Sequence, residues 1–270
     1  GCEFEGDWNS DRYKEDFHMS YPLKPGQRVS LESFNGSVEV MGWEKDEVDI
    51  SGVKYASSKD YLDQVKVNVA ASPDAVRIRA ERPEARNWRG SMGVKFVIRV
   101  PHRTELERVE STNGAIRVEA TEGAARLKST NGAIRVSRLK GNLDASSTNG
   151  GIEVTGAVGD VRVQTTNGSI RADDVRGGLD AGTTNGGIRV RVVDSEGKTV
   201  RARTTNGSVA LQMPAGLKAE FRASTSNASI TSDFEVSGTK EKRRWEGTIN
   251  GGGALVDLST SNGSIRLEKL

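Results

Sequence analysis

Four arginines at one slot of a repeat are the residues of this chain best placed to do chemistry. Arg117, Arg135, Arg171 and Arg189 each follow an asparagine by four positions, and Glu153 holds the same slot in the copy between them. A row of guanidinium groups can take carboxylates or phosphates in bidentate fashion. The matching ligand would be an acidic polysaccharide or the phosphates of a lipopolysaccharide. The simpler reading, and the one the residues favour, is a solvated row that keeps one face soluble and discourages sideways aggregation.

Other reactive residue types are sparse. His18 and His102 lie far apart and in no metal-ligand spacing, so both read as surface histidines. Asp144, Asp160 and Asp180 fall at most one per repeat and read as occupying different slots; the G-G-x-G-x-D calcium signature is absent. No Ser-His-Asp set, phosphate loop or dinucleotide fingerprint is present. The sequence therefore leads us to expect no catalytic residue, no metal and no cofactor. An outward Thr follows the period at Thr112, Thr130, Thr148, Thr166, Thr184 and Thr205. Its neighbours Ser111, Ser129, Ser147, Thr165 and Thr183 have the parity of inward residues. That leaves one outward Thr per turn, where ice-binding arrays use two.

These residues must be positioned by the repeat itself. S/T-T-N-G-x-I/V recurs with Asn113, Asn131, Asn149, Asn167, Asn185 and Asn206, at four spacings of 18 and one of 21. Weaker copies occur at Asn35, Asn227 and Asn262. Counting from the Asn, position three is Ile or Val throughout, position five is mostly Val, and position four is polar. Such alternation is a strand with one buried face. A second apolar pair follows a glycine turn, as in Leu143 and Ala145 or Val161 and Val163. Each repeat is thus two short strands and two corners.

Asn-Gly is also the strongest short hairpin signal, because both residues tolerate positive φ. A chain of hairpins would give an up-and-down barrel. A coil explains more, because residues one period apart then lie above one another and like stacks on like. Identical asparagines can hydrogen-bond along such a stack. The spacing predicts an all-β parallel β-solenoid of about 18-residue rungs, with those six asparagines as a structural ladder. A transmembrane barrel is rejected: it needs an apolar band and aromatic girdles, and residues 111–211 contain no aromatic residue.

The chain has 270 residues, 34% hydrophobic, with 31 glycines and a formal net charge of +2. A thin solenoid core and glycine corners account for both the low apolar content and the glycine. The near-zero net charge gives no reason to expect nucleic acid. No apolar run approaches the ~18 residues needed for a membrane span. The single cysteine, Cys2, follows Gly1 and precedes a polar stretch. That resembles a bacterial lipoprotein start, in which the Cys is acylated and anchors the chain to a membrane without spanning it.

In chain order, residues 1–26 read as a tether and lead-in segment. Residues 27–105 read as an irregular β cap, with strands expected near 29–33, 37–40, 47–53, 64–70, 75–80 and 95–100. Residues 106–270 read as the solenoid repeats, continuous with the cap as one domain over 27–270. Insertions at 194–197 and 214–216 should bulge at corners. A longer excursion at 234–245 carries Lys240, Lys242, Arg243 and Arg244, and strands at 255–258 and 264–267 complete a last rung.

Three landmarks accompany the T-N-G-x-I series: G-S-V-E-V-x-G-W at 36–43, F-V-I-R-V-P at 96–101 and T-S-N-G-S-I-R-L at 260–267. Together they resemble the bacterial family named domain of unknown function 4097, also labelled as adhesins, over residues 27–270. The resemblance implies a β-strand repeat protein of the cell envelope, often exported or lipid-anchored. It implies no catalytic residue. The partners to expect for such a chain are cell-surface glycans or envelope proteins. The adhesin label comes from architecture and not from an activity. The alternative is a carbohydrate-active solenoid that binds or cleaves an anionic polysaccharide.

Overall fold

The computed structural model describes residues 13–84 and 90–270. The N-terminal part comprises β1 (Tyr13–Pro22), β2 (Gln27–Asn35), β3 (Val38–Trp43), β4 (Glu47–Ala56), a helix α1 (Lys59–Gln64), β5 (Lys66–Ala71), β6 (Ala75–Glu81) and β7 (Met92–Pro101). The regular coil runs through β8 (Thr104–Asn113), β9 (Ile116–Glu122), β10 (Ala125–Ser129), β11 (Ile134–Lys140), β12 (Leu143–Asn149) and β13 (Ile152–Val158). It continues as β14 (Val161–Asn167), β15 (Ile170–Arg176), β16 (Leu179–Gly182), β17 (Ile188–Asp194), β18 (Val200–Arg203) and β19 (Val209–Met213). The C-terminal part is β20 (Ala219–Ser224), β21 (Ile230–Ser232), β22 (Ser237–Lys240), β23 (Arg244–Ile249), β24 (Ala254–Ser259) and β25 (Ile265–Lys269).

Successive strands of the coil alternate between two sheets, and equivalent strands pair in parallel one turn apart. Ile134 sits beside Ile116 and Ile152, and Leu143 beside Ala125 and Val161. The chain therefore winds as a parallel β-solenoid, and both sheets are open. The core is a narrow column between the sheets. Ile116, Ile134, Ile152, Ile170 and Ile188 stack along one wall, each at most 2% exposed.

A third inward position breaks the simple alternation. Position seven of four successive repeats is left-handed: Ala120 (φ 57°), Arg138 (52°), Gly156 (77°) and Asp174 (52°). That bend lets position eight face inward too, as Thr121, Leu139, Ala157 and Val175, all buried. A single left-handed residue has no apolar signature in sequence, so the bend was not legible there.

The Asn-Gly corner is built for stacking and not for positive φ. A Cβ on Gly132, Gly150 or Gly168 would overlap the carbonyl oxygen of the glycine one turn earlier. None of the three has positive φ, whereas Gly123, Gly141, Gly159 and Gly177 at the opposite corner do, at 138–142°. The Ser/Thr two residues before each Asn is buried and donates to that same carbonyl. Ser129 Oγ reaches Gly114 O at 2.9 Å, Ser147 Oγ reaches Gly132 O at 2.9 Å and Thr165 Oγ1 reaches Gly150 O at 2.7 Å.

Both ends of the coil are threaded out of chain order. At the N-terminal end the rung β2/β3 lies between β6/β7 and β8/β9. At the C-terminal end β24 pairs with both β18 and β20, and β25 with both β19 and β21. The stretch expected to complete a last rung is thus last in the chain but inserted one rung inward in space. Tyr13–Pro22, placed by sequence in the lead-in segment, is an antiparallel partner of β4 and forms the outer edge of its sheet. Helix α1, which six residues cannot announce by periodicity, is capped by Ser58 accepting from Tyr61 N at 3.2 Å. It lowers Leu62 onto the end of the core.

Candidate functional site

The outward side chains form columns, because each stacks on its counterpart one turn away, about 4.8 Å along the axis. On the first sheet one column reads Glu39, Arg117, Arg135, Glu153, Arg171, Arg189, Ala210, Arg266. The four candidate arginines are exposed in it. Glu39 stands beside Arg117 and Glu153 between Arg135 and Arg171, but only two ion pairs form: Arg117 approaches Glu39 at 4.0 Å and Arg135 approaches Glu153 at 3.8 Å. Arg171 and Arg189 stand side by side with no ion pair among the described residues. Beside the strip, Arg191 lies 3.7 Å from Asp173 and Arg138 pairs with Glu119, so these further cations are balanced by partners of their own. The arginine strip is thus partly neutralised and leaves one local excess of positive charge, at Arg171 and Arg189.

The second sheet carries a column that sequence reading missed. Its order is Arg126, Asp144, Arg162, Asp180, Arg201, Asp257, Arg222, Glu246, strict alternation of sign over eight strands. Asp144 and Asp180 therefore do share a slot, contrary to the expectation that they differ. The second strand of each repeat restarts in the same register after its glycine corner, so both land two turns apart with Arg162 between. Asp160 is elsewhere, at that corner, accepting from Gly178 N at 3.1 Å and Lys198 Nζ at 2.9 Å. The Lys198 bond, then the Gly178 bond, hold its carboxyl below the usual carboxylate range against a smaller opposing effect of burial.

Along one edge runs the asparagine column. Asn131 Nδ2 donates to Asn113 Oδ1 at 2.7 Å, Asn149 to Asn131 at 2.8 Å, Asn167 to Asn149 at 2.8 Å and Asn185 to Asn167 at 2.8 Å. Asn206 donates to Asn185 at 2.8 Å, and Asn113 to Asn35 at 2.8 Å. Beyond Asn206 the ladder passes to Asn262 and only then to Asn227. The amides between the two ends of the ladder are solvent-facing, yet each spends one donor and one acceptor on its neighbours.

The N-terminal edge holds the most enclosed charged group of these clusters. Asp49, with a side chain 11% exposed, accepts from Ser20 Oγ at 2.9 Å and bonds His18 Nε2, with Arg99 at 3.9 Å. Burial pushes its carboxyl up. The His18 and Ser20 bonds and the charges of His18 and Arg99 outweigh that and hold it below the usual range. Ser20 donates to the carboxylate and not to the imidazole, so no nucleophile-base pair is formed. His102 bonds Ala120 O at 2.9 Å, a corner contact. Among the described residues no three His, Cys, Asp or Glu side chains gather as a metal site. Cys2 lies outside the described residues.

A family model described as Toastrack DUF4097 matches residues 26–268. The chain belongs to the Toastrack DUF4097 family. No curated protein matches it. A solved structure from Bacteroides fragilis, provisionally named an adhesin, is similar over 94% of this chain and 97% of that one, at 14% identity and a TM-score of 0.55. Structures from Clostridium sporogenes and Parabacteroides distasonis are less similar. The first, provisionally named a cell adhesion protein, has 12% identity, 95% and 100% coverage and a TM-score of 0.28. The second, provisionally named a lipid binding protein, has 11%, 93%, 96% and 0.48. At these identities the likeness extends to the Toastrack fold alone. The ladder and the columns are therefore read from this chain's own residues.

Proposed function

We propose that this Toastrack chain is a non-enzymatic adhesion scaffold, exported and displayed at the cell envelope. The observation that carries the reading is the uniformity of the coil. Along its two main outward columns carboxylates stand singly: Glu153 lies between Arg135 and Arg171 on the first sheet, and Arg and Asp alternate on the second. Such a surface offers many equivalent weak contacts along a stiff axis, which suits attachment by avidity. The provisional name of the B. fragilis structure points the same way. The scaffold reading is tested by labelling intact cells of the source bacterium with antibody to the folded chain. Surface labelling that disappears on deletion of the coding sequence supports it; a signal confined to lysed cells ends it.

A second reading, capture of an anionic glycan, is favoured by the unpaired neighbours Arg171 and Arg189. Replacing Arg117, Arg135, Arg171 and Arg189 by Ser should abolish retention of the folded protein on a heparin or alginate column. Arg171→Ser with Arg189→Ser should account for most of the loss, and unchanged retention eliminates this reading.

A further inference from the structure

The place occupied by β24 and β25 is a slot between two rungs that are consecutive in the chain. β18/β19 lead directly into β20/β21 through residues 214–218, yet the two rungs do not pair with each other. The final strands fill the gap from outside, after the chain has gone on to make the β22–β23 hairpin. The slot is matched to its occupant by more than backbone. Asp257 falls between Arg201 and Arg222, with Arg201 Nε at 3.4 Å and Arg203 also within reach at 3.7 Å. Without Asp257 the two arginines would face each other across an empty strand position. Asn262 joins Asn206 to Asn227, and Thr260 Oγ1 donates to Gly207 O at 2.7 Å. Val256, Leu258, Ile265 and Leu267 complete the core.

From this we infer that the slot accepts the β24–β25 segment of a second copy of the chain, so that two molecules join by reciprocal exchange of their final rungs. The proposal goes beyond the adhesion reading and does not depend on it. Every contact above is indifferent to which copy donates the strand, as in other exchanged elements. The connection between β23 and β24 is also suited to opening. Ile249 and Ala254 both stand beside Ala219, on opposite sides of β20. Residues 250–253 must therefore step over a strand. They are Asn250, Gly251, Gly252 and Gly253, the first three with positive φ of 51°, 85° and 92°. Within one chain the step spans two strand spacings, about 9.6 Å. If residues 251–253 are deleted, two Cα steps remain, about 7.6 Å at most. With Ile249 and Ala254 held in their present pairings the segment then cannot reach its own slot and is left to a partner.

The deletion of residues 251–253 is made in the full chain with Cys2→Ser, and its mass is read by light scattering. A doubled mass with native circular dichroism is expected; a folded monomer overturns the proposal. Should the deletion not fold, the intact hinge still decides. Two differently tagged Cys2→Ser copies, one carrying Asn206→Cys and the other Asn262→Cys, are unfolded together and refolded at rising concentration. These positions are bridge partners across the slot, so a crossed rung holds the two thiols together, and linkage by chance collision is measured by a control. The linked fraction should rise with concentration and exceed a control pairing Asn131→Cys with Asn262→Cys. Linkage no greater than the control at every concentration overturns the proposal.

Discussion

Thr121 shows how closely each residue of the stack is judged by its counterparts. It takes the inward position filled by Leu139, Ala157 and Val175 in the next turns, and its hydroxyl is buried with no hydrogen-bond partner among the described residues. Valine has the same shape without the polar atom. Thr121→Val should raise stability by about 1 kcal/mol, read as a higher midpoint in urea with an unchanged slope. The glycine of the Asn-Gly corner gives the opposite case. A methyl group at position 150 meets the Gly132 carbonyl, and backbone on both sides is locked in parallel ladders. Gly150→Ala should cost about 1–3 kcal/mol, as overpacking does. Asn149→Ala, at an exposed ladder position, should cost less than Gly150→Ala in the same titration. Reversal of that order would mean that the side-chain ladder, and not close backbone stacking, sets the corner.

Among the elements, β1 is the one whose attachment depends on ionisation. It lies at the sheet edge, and His18 and Ser20 on it both bond Asp49 on β4, with Arg99 of β7 on the other side. The Asp49 carboxyl is held below its unfolded value, so its contribution is complete above about pH 4. It is lost as pH falls through the lower, folded value. Thermal unfolding followed between pH 5 and pH 2 should show the wild type losing stability more steeply than Asp49→Asn. Parallel curves would remove Asp49 as the titrating anchor. The two strand ends at the far pole are managed differently. Phe234 and Val236 are buried over the core there, and the exposed β22 carries Lys240 at its end, a charge of the kind that discourages pairing with another edge.

At the scale of the whole molecule, the coil is a one-dimensional stack in which each rung touches only its neighbours, with both ends locked by an out-of-order rung. Stability in such a stack is a sum of rung and interface contributions, and the inserted rungs make two of those interfaces distant in sequence. The alternating column on the second sheet depends on the C-terminal insertion, since it places Asp257 between Arg201 and Arg222. Proposed adhesion, proposed glycan capture and proposed strand exchange all draw on this geometry: long columns on the faces and a fillable place near one end.

The period, the two strands per turn, the inward Ile and Val positions and the stacking of the asparagines were legible in the chain by itself. Each depends on interactions repeated at a fixed spacing, and repetition is what a linear string displays. The irregular strands between residues 27 and 101 were legible for a related reason, as runs such as Phe96 to Val100 alternate within a single segment, whereas β1 was read as part of the lead-in. What only the tertiary structure decided is which rung lies beside which at the two ends, and with it the neighbours of Asp257 and Asn262. Asp144 and Asp180 are a different case: they lie 36 residues apart, two full periods, so their shared slot was present in the spacing and the expectation of different slots misread it. Strand order is set by where the chain returns after a loop. Parallel pairing has the same local pattern whichever neighbour is chosen, so composition and spacing cannot distinguish an inserted rung from a terminal one.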